Sequence, residues 1–193
     1  MKHIPTILAL LLFLQTGATT IIAGPGRPVS TLRKAIELAR DNDSIRLQAG
    51  IYKEGSLTIS RSITLIGDNN PVLDGENKYE ILLVSGKNIR IIGITFRNSG
   101  YSAMNDFASI KLVDCSNIIL ERNTVWHAYF AIHVSNSIQV TIRGNKITGI
   151  PASEQLTGNG IHLWKSSGAL IEQNRVEGHR DGIYFEFVTG SVI

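Results

Sequence analysis

His133 and His162 each stand at the centre of an apolar triplet, Ile132-His133-Val134 and Ile161-His162-Leu163, and the two triplets begin 29 residues apart. Alternation along a strand sends Ile132, Val134, Ile161 and Leu163 to one face and both imidazoles to the other. If the two strands are neighbours, the rings meet and can chelate a metal ion or share a proton. Lys111 and Tyr184 hold the same position in Ile110-Lys111-Leu112 and Ile183-Tyr184-Phe185. A second outward row runs beside them through Val113, Ser135, Trp164 and Glu186. The predicted metal ligands are His133 and His162, with Met104, His127 and His179 as further donors. His127 and His179 occupy comparable turns, four residues after Asn123 and five after Asn174. Thioether and imidazole together suit copper, whereas magnesium and calcium take oxygen donors. The same positions also fit two solvated imidazoles on a polar face.

A catalytic use of this surface draws on Glu186, Asp181, Arg180, Lys111, Tyr184 and Trp164, which supply the carboxylates, cations and aromatic platform of a polysaccharide site. There is no Asp-Asp pair of the kind that two-carboxylate hydrolysis favours, and no cluster of acids for calcium. Binding therefore ranks above catalysis.

The strands that carry these residues recur. One register aligns Ile63-Thr64-Leu65, Ile89-Arg90-Ile91, Ile118-Ile119-Leu120, Val140-Thr141-Ile142 and Ala169-Leu170-Ile171, whose last members are separated by 26, 29, 22 and 29 residues. The second register, through Ile110, Ile132, Ile161 and Ile183, has spacings of 22, 29 and 22. The two expand and contract together, the signature of a solenoid in which each coil adds two or three short strands to parallel sheets. The L-x-x-L-x-L frame of leucine-rich repeats is missing. The fold class read from this pattern is all-β, a right-handed parallel β-helix of five to six coils, roughly 25 to 30 Å long at the strand spacing of a sheet.

Asn123, Asn145 and Asn174 share one phase, and their stacked amides can hydrogen-bond from coil to coil. Cys115, Ser137 and Ser166 share another, a corner of small residues. The seven extra residues of each long coil fall between the two registers, in Ser99 to Phe107 and in Ile150 to Thr157. Both are expected to overhang the histidine row, the first bringing Met104 near it.

At 193 residues with 43% hydrophobic content, one domain with a substantial core is expected. The formal charge of +3 is scattered, without a basic stripe, which argues against nucleic acid as a partner. Cys115 is the sole cysteine, so no intramolecular disulfide forms and the residue reads as a structural thiol. Lys2 and His3, the apolar run Ile7 to Leu14 and the small residues up to Ala23 have the layout of a secretory signal peptide, cut after Ala18 or Ala23. The expected organisation is a signal peptide over 1–23, an N-terminal cap over 24–43 and a β-helix over 44–193. In the cap, Ser30-Thr31 precedes a short amphipathic helix that ends near Arg40 and covers the first coil.

The segments Ala49-Gly50-Ile51-Tyr52-Lys53-Glu54, Val72-Leu73-Asp74-Gly75 and Gly93-Ile94-Thr95-Phe96-Arg97-Asn98-Ser99-Gly100 resemble the opening coils of the NosD family. So do Gly158-Asn159-Gly160-Ile161-His162-Leu163-Trp164 and Gly178-His179-Arg180-Asp181-Gly182-Ile183-Tyr184-Phe185-Glu186-Phe187, the more distinctive pair. NosD proteins are periplasmic accessory proteins for the maturation of nitrous oxide reductase. The resemblance implies a copper-binding or copper-handling β-helix that works with an ABC transporter and delivers metal for the reductase's copper-sulfur cluster. It does not identify the ligands. Members of that family continue for more coils, whereas this sequence stops at Ser191-Val192-Ile193, so an incomplete β-helix with exposed strand edges and a tendency to self-associate is expected. The alternative is an exported polysaccharide-binding or polysaccharide-modifying β-helix, a lyase or epimerase if it is an enzyme.

Overall fold

A computed structural model describes residues 17–102, 104–150 and 157–193. The N-terminal segment with Lys2, His3 and Ile7 to Leu14 lies outside the described residues. The chain forms three parallel sheets, each strand pairing with its counterpart one coil away. The first sheet comprises β1 (Thr20–Ala23), β2 (Ser44–Leu47), β5 (Thr64–Gly67), β8 (Lys87–Ile92), β11 (Ser116–Glu121), β14 (Ile138–Arg143) and β17 (Leu170–Glu172). The second holds β3 (Ile51–Tyr52), β6 (Val72–Asp74), β9 (Thr95–Arg97), β12 (Thr124–Trp126), β15 (Lys146–Thr148) and β18 (Arg175–Glu177). The third holds β4 (Leu57–Ile59), β7 (Leu82–Val84), β10 (Ala108–Val113), β13 (Phe130–Ser135), β16 (Ile161–Trp164) and β19 (Ile183–Glu186).

Period-two alternation puts one row of each sheet into a continuous core. In the third sheet Leu82, Ile110, Ile132 and Ile161 stack inward, each with no exposed surface. Burying each such side chain contributes about 1.5–3 kcal/mol, so the stack of apolar rows carries the fold. The corners are chemically different. Asn145 Oδ1 accepts from the backbone N–H of Asn123 at 2.9 Å and from its Nδ2 at 3.1 Å, and Asn174 Oδ1 does the same for Asn145 at 2.9 Å each. Their amide groups also donate to the carbonyls of Ile91, Leu120 and Ile142. A neighbouring corner runs the hydroxyl version: Ser137 Oγ accepts from Cys115 N and Ser166 Oγ from Ser137 N, both at 3.1 Å. Cys115 is buried and its Sγ donates to the carbonyl of Val84 at 3.2 Å, a structural thiol whose pKa burial raises.

Helix α1 (Leu32–Leu38) starts where expected, with Thr31 Oγ1 accepting from Lys34 N at 3.2 Å. Glu54, from the next coil, takes two more of the free N–H groups, those of Leu32 and Arg33. The helix stops at Leu38, short of Arg40, because Ala39 is extended and the backbone N–H of Arg40 turns to the carboxylate of Asp43. Leu32 and Ala35 are its buried face, set against β1 and β2. Strand β1 is an addition to the sequence reading. The last residues of the segment read as signal peptide are built into the first coil, with Ala23 fully buried and Thr19 bonded twice to Asp43. A cut after Ala18 leaves this strand in place; a cut after Ala23 removes it.

Candidate functional site

The register places Lys111, His133, His162 and Tyr184 side by side in successive strands β10, β13, β16 and β19, with Val113, Ser135, Trp164 and Glu186 as the adjacent row. Lys111, His133 and His162 of the first row and Ser135, Trp164 and Glu186 of the second line a cleft of about 450 Å³. Its wall is the first inserted segment, which contributes Met104, Asn105 and Asp106. Two short local bonds shape that wall, with Ser102 Oγ accepting from the backbone of Met104 and of Asn105. Lys111 fastens it from below: Nζ donates to the Asn105 carbonyl at 2.6 Å and lies 3.3 Å from Glu80 Oε2. Glu80 is mostly buried, and that burial pushes its pKa up in spite of the lysine.

The strand that carries His162 is seated by close backbone packing. A Cβ on Gly158 would stand 2.6 Å from the Tyr129 carbonyl oxygen, and one on Gly160 2.3 Å from a Val176 methyl and 2.7 Å from the Gly182 carbonyl. Only glycine permits that approach on both sides of Asn159, which locates the imidazole opposite His133.

The imidazoles are outward from the sheet, as alternation requires, yet His133 is not solvated: it is only 7% exposed. Phe130 covers both rings, with centroids 5.4 Å from His133 and 5.5 Å from His162. His133 and His162 meet edge to face at 4.9 Å, and His162 meets Tyr184 in the same way at 5.1 Å. Burial disfavours the charged imidazolium. It lowers the pKa of His133 to about 4, with His162 and Lys111 adding to the effect, and lowers that of His162 as well. Both rings are therefore neutral at pH 7. His133 Nδ1 and both ring nitrogens of His162 are buried without a hydrogen-bond partner. A buried polar atom left without a partner costs about 1–3 kcal/mol, so three of them in one cleft single out this pair as a candidate site.

The other sequence-derived donors divide. Met104 lies at the rim and is 90% exposed. His127 and His179 do not line this cleft. His127 is an exposed corner residue in the left-handed region (φ 52°), in the phase of Asn98 and Gly178. It belongs to the turn between β12 and β13. His179 packs beside Gly149, with Nδ1 3.2 Å from the Gly158 carbonyl and Nε2 buried. Among the described residues no three His, Cys, Asp or Glu side chains are gathered closely enough to hold a metal ion. The second inserted segment also departs from expectation at its described ends. Ile150 and Thr157 line a different cleft, of about 260 Å³, with Tyr101, Tyr129 and His127; residues 151–156 lie outside the described residues.

A coordinating imidazole must be neutral and have a free lone pair. The pair meets both conditions, and each ring centre of a metal-bound imidazole stands about 3 Å from the ion, so a 4.9 Å separation is within the reach of two rings sharing one. Two imidazoles with a thioether at the rim are a soft donor set, the kind that takes copper in preference to calcium or magnesium.

The sequence reading overlooked Asp106, which lies inside the first insertion, and the pairing of Lys111 with Glu80. Glu80 carried no signal of its own, since it precedes a strand and shows no periodicity.

Comparison with known proteins agrees with the architecture. The family described as "Right handed beta helix region" matches residues 79–193. The chain is 32% identical over 140 residues to a probable ABC transporter binding protein NosD of Stutzerimonas stutzeri, covering 71% of this chain and 32% of that protein. It is 30% identical over 138 residues to the protein of the same name from Pseudomonas aeruginosa, covering 70% and 32%. The chain thus spans about a third of the length of these curated relatives. Similar solved structures include a family 28 exopolygalacturonase of Yersinia enterocolitica (TM-score 0.67, 16% identity, 88% of this chain and 45% of that one). An alginate lyase from Paenibacillus sp. str. FPU-7 (TM-score 0.57, 18% identity, 88% and 65%) is another. At such identities these show the fold alone.

Proposed function

Because the chain belongs to the right-handed β-helix family, we propose that it is a copper-handling member of it, an exported periplasmic accessory protein that acts with an ABC transporter in the maturation of nitrous oxide reductase. The observation that carries this reading is the His133/His162 pair, neutral and covered, with three buried nitrogens that have no partner. Similarity to two NosD proteins supports the transporter association. Copper is cargo in this reading, held by the two imidazoles with Met104 closing from the rim, and no bond in an organic substrate is made or broken. Export fits the layout of residues 1–23 with a cut after Ala18.

The carbohydrate reading uses the same cleft, with Trp164 as a stacking platform. Charge opposes it for the acidic polysaccharides. The one lysine of the cleft is committed to Glu80 and Asn105, while Asp106 and Glu186 line it without an ion-pair partner among the described residues.

Titration of the purified chain with Cu(I) and Cu(II), against a competing chelator, tests the proposal. One equivalent of Cu(I) is expected to bind, with affinity falling about a hundredfold or more in the His133→Ala, His162→Ala double variant. Equal affinity in the double variant removes the site; binding of a polyuronide without copper binding transfers the protein to the alternative class.

A further inference from the structure

The two carboxylates of the cleft have no place in a His/Met ligand set. Asp106 closes the three-residue wall Met104-Asn105-Asp106, and Glu186 ends the outward row opposite. Neither side-chain carboxylate has a hydrogen bond or ion pair among the described residues. They are not alone in an otherwise ordinary groove, for the cleft also contains His133, more than nine-tenths buried and with Nδ1 unpartnered. The nearby cations are compensated: Lys111 by Glu80 at 3.3 Å, and Arg180 by Asp181 at 3.2 Å and by the side-chain oxygen of Asn159. An approaching ion therefore meets two carboxylates without a cationic partner in the same cleft as a covered pair of imidazoles. Yet the carboxylates are not gathered with the imidazoles into one coordination sphere.

Resting on the copper reading, we infer that Asp106 and Glu186 gather a soft metal cation at the mouth of the cleft and pass it to His133 and His162 without remaining as its ligands. Charge placed at a mouth raises the local concentration of a counter-ion and its association rate, and added salt screens the effect. The floor then retains the ion through neutral donors, which salt does not screen. Separate groups thus govern arrival and retention.

Stopped-flow mixing with Ag(I), a redox-inert stand-in for Cu(I), in nitrate salts tests this, reading the fluorescence of Trp164 in a Trp126→Phe background. The Asp106→Asn, Glu186→Gln double variant should associate about tenfold more slowly at low ionic strength and at the parental rate at high ionic strength, with an unchanged dissociation rate. Parental association with the same salt dependence overturns the inference. A faster dissociation with unaltered association overturns it too, since it makes the carboxylates ligands. Equilibrium dialysis that finds no Ag(I) or Cu(I) bound to the parent fails the copper reading itself. Both substitutions are close in size to the originals and lie on side chains without partners, so circular dichroism should match the parent.

Discussion

Two ladders of polar side chains climb this molecule at the same pitch, and they have opposite hydrogen-bonding states. Along the Asn123/Asn145/Asn174 corner the first two amides are bonded to the next coil, and all three donate to a carbonyl of the previous one. Along the His133/His162 row, equally regular and nearly as well covered, three ring nitrogens are bonded to nothing. Stacking period therefore does not separate a structural residue from a functional one. Bonding state does differ: the asparagines complete their own bonding, whereas the imidazoles of the row do not, nor does His179 Nε2 outside it.

The comparison is most severely tested at the asparagines. Asn145→Ala removes four hydrogen bonds and leaves the buried N–H of Asn123 without its acceptor. A loss of about 3 kcal/mol in denaturant unfolding is expected, the same at pH 5 and pH 7.5. A loss below about 1 kcal/mol would show that the ladder is decoration. The histidine row should instead respond to pH. His133 has a folded pKa of about 4 against 6.5 when exposed, so below 6.5 the unfolded chain takes up a proton that the folded one refuses. Stability is accordingly full above pH 6.5 and falls as pH drops toward 4, by roughly 2 kcal/mol at pH 5, and the slope should flatten in His133→Gln. A wild-type curve that is level from pH 7 to 5 would place the imidazole in contact with water. The smallest effect is a control on the donors outside the cleft: His127→Ala should change Cu(I) affinity by less than about twofold, because that side chain belongs to a left-handed corner and not to the row. A larger change would return it to the ligand set.

Much of this was legible in the residues. Spacings of 22 and 29 gave the coils, and alternation gave the order Lys111, His133, His162, Tyr184 that the pairing reproduces. The first insertion lies over that row, with Met104 at the rim. What escaped was whatever depends on contact between segments of unrelated phase. Phe130 covers the imidazoles because β13 starts two residues before Ile132, too early to show in a triplet pattern. Glu80 meets Lys111 from the adjacent coil, and no local periodicity announces such a pair. His127 and His179 looked alike by their distance from the asparagines, but one turn projects its side chain and the other packs it against Gly149.

Both long coils take their extra residues at a single corner, between β9 and β10 and between β15 and β16. On either side the register is undisturbed, Val125 opposing Phe96 and Ile147, and Ile147 in turn opposing Val176. Length at that corner is thus invisible to the core: a segment there can be extended, shortened or rewritten while the stack of coils goes on reading the same inward rows. The strands thus carry the imidazole row, while the corner supplies the wall above it, and the wall can change in length without shifting the row beneath.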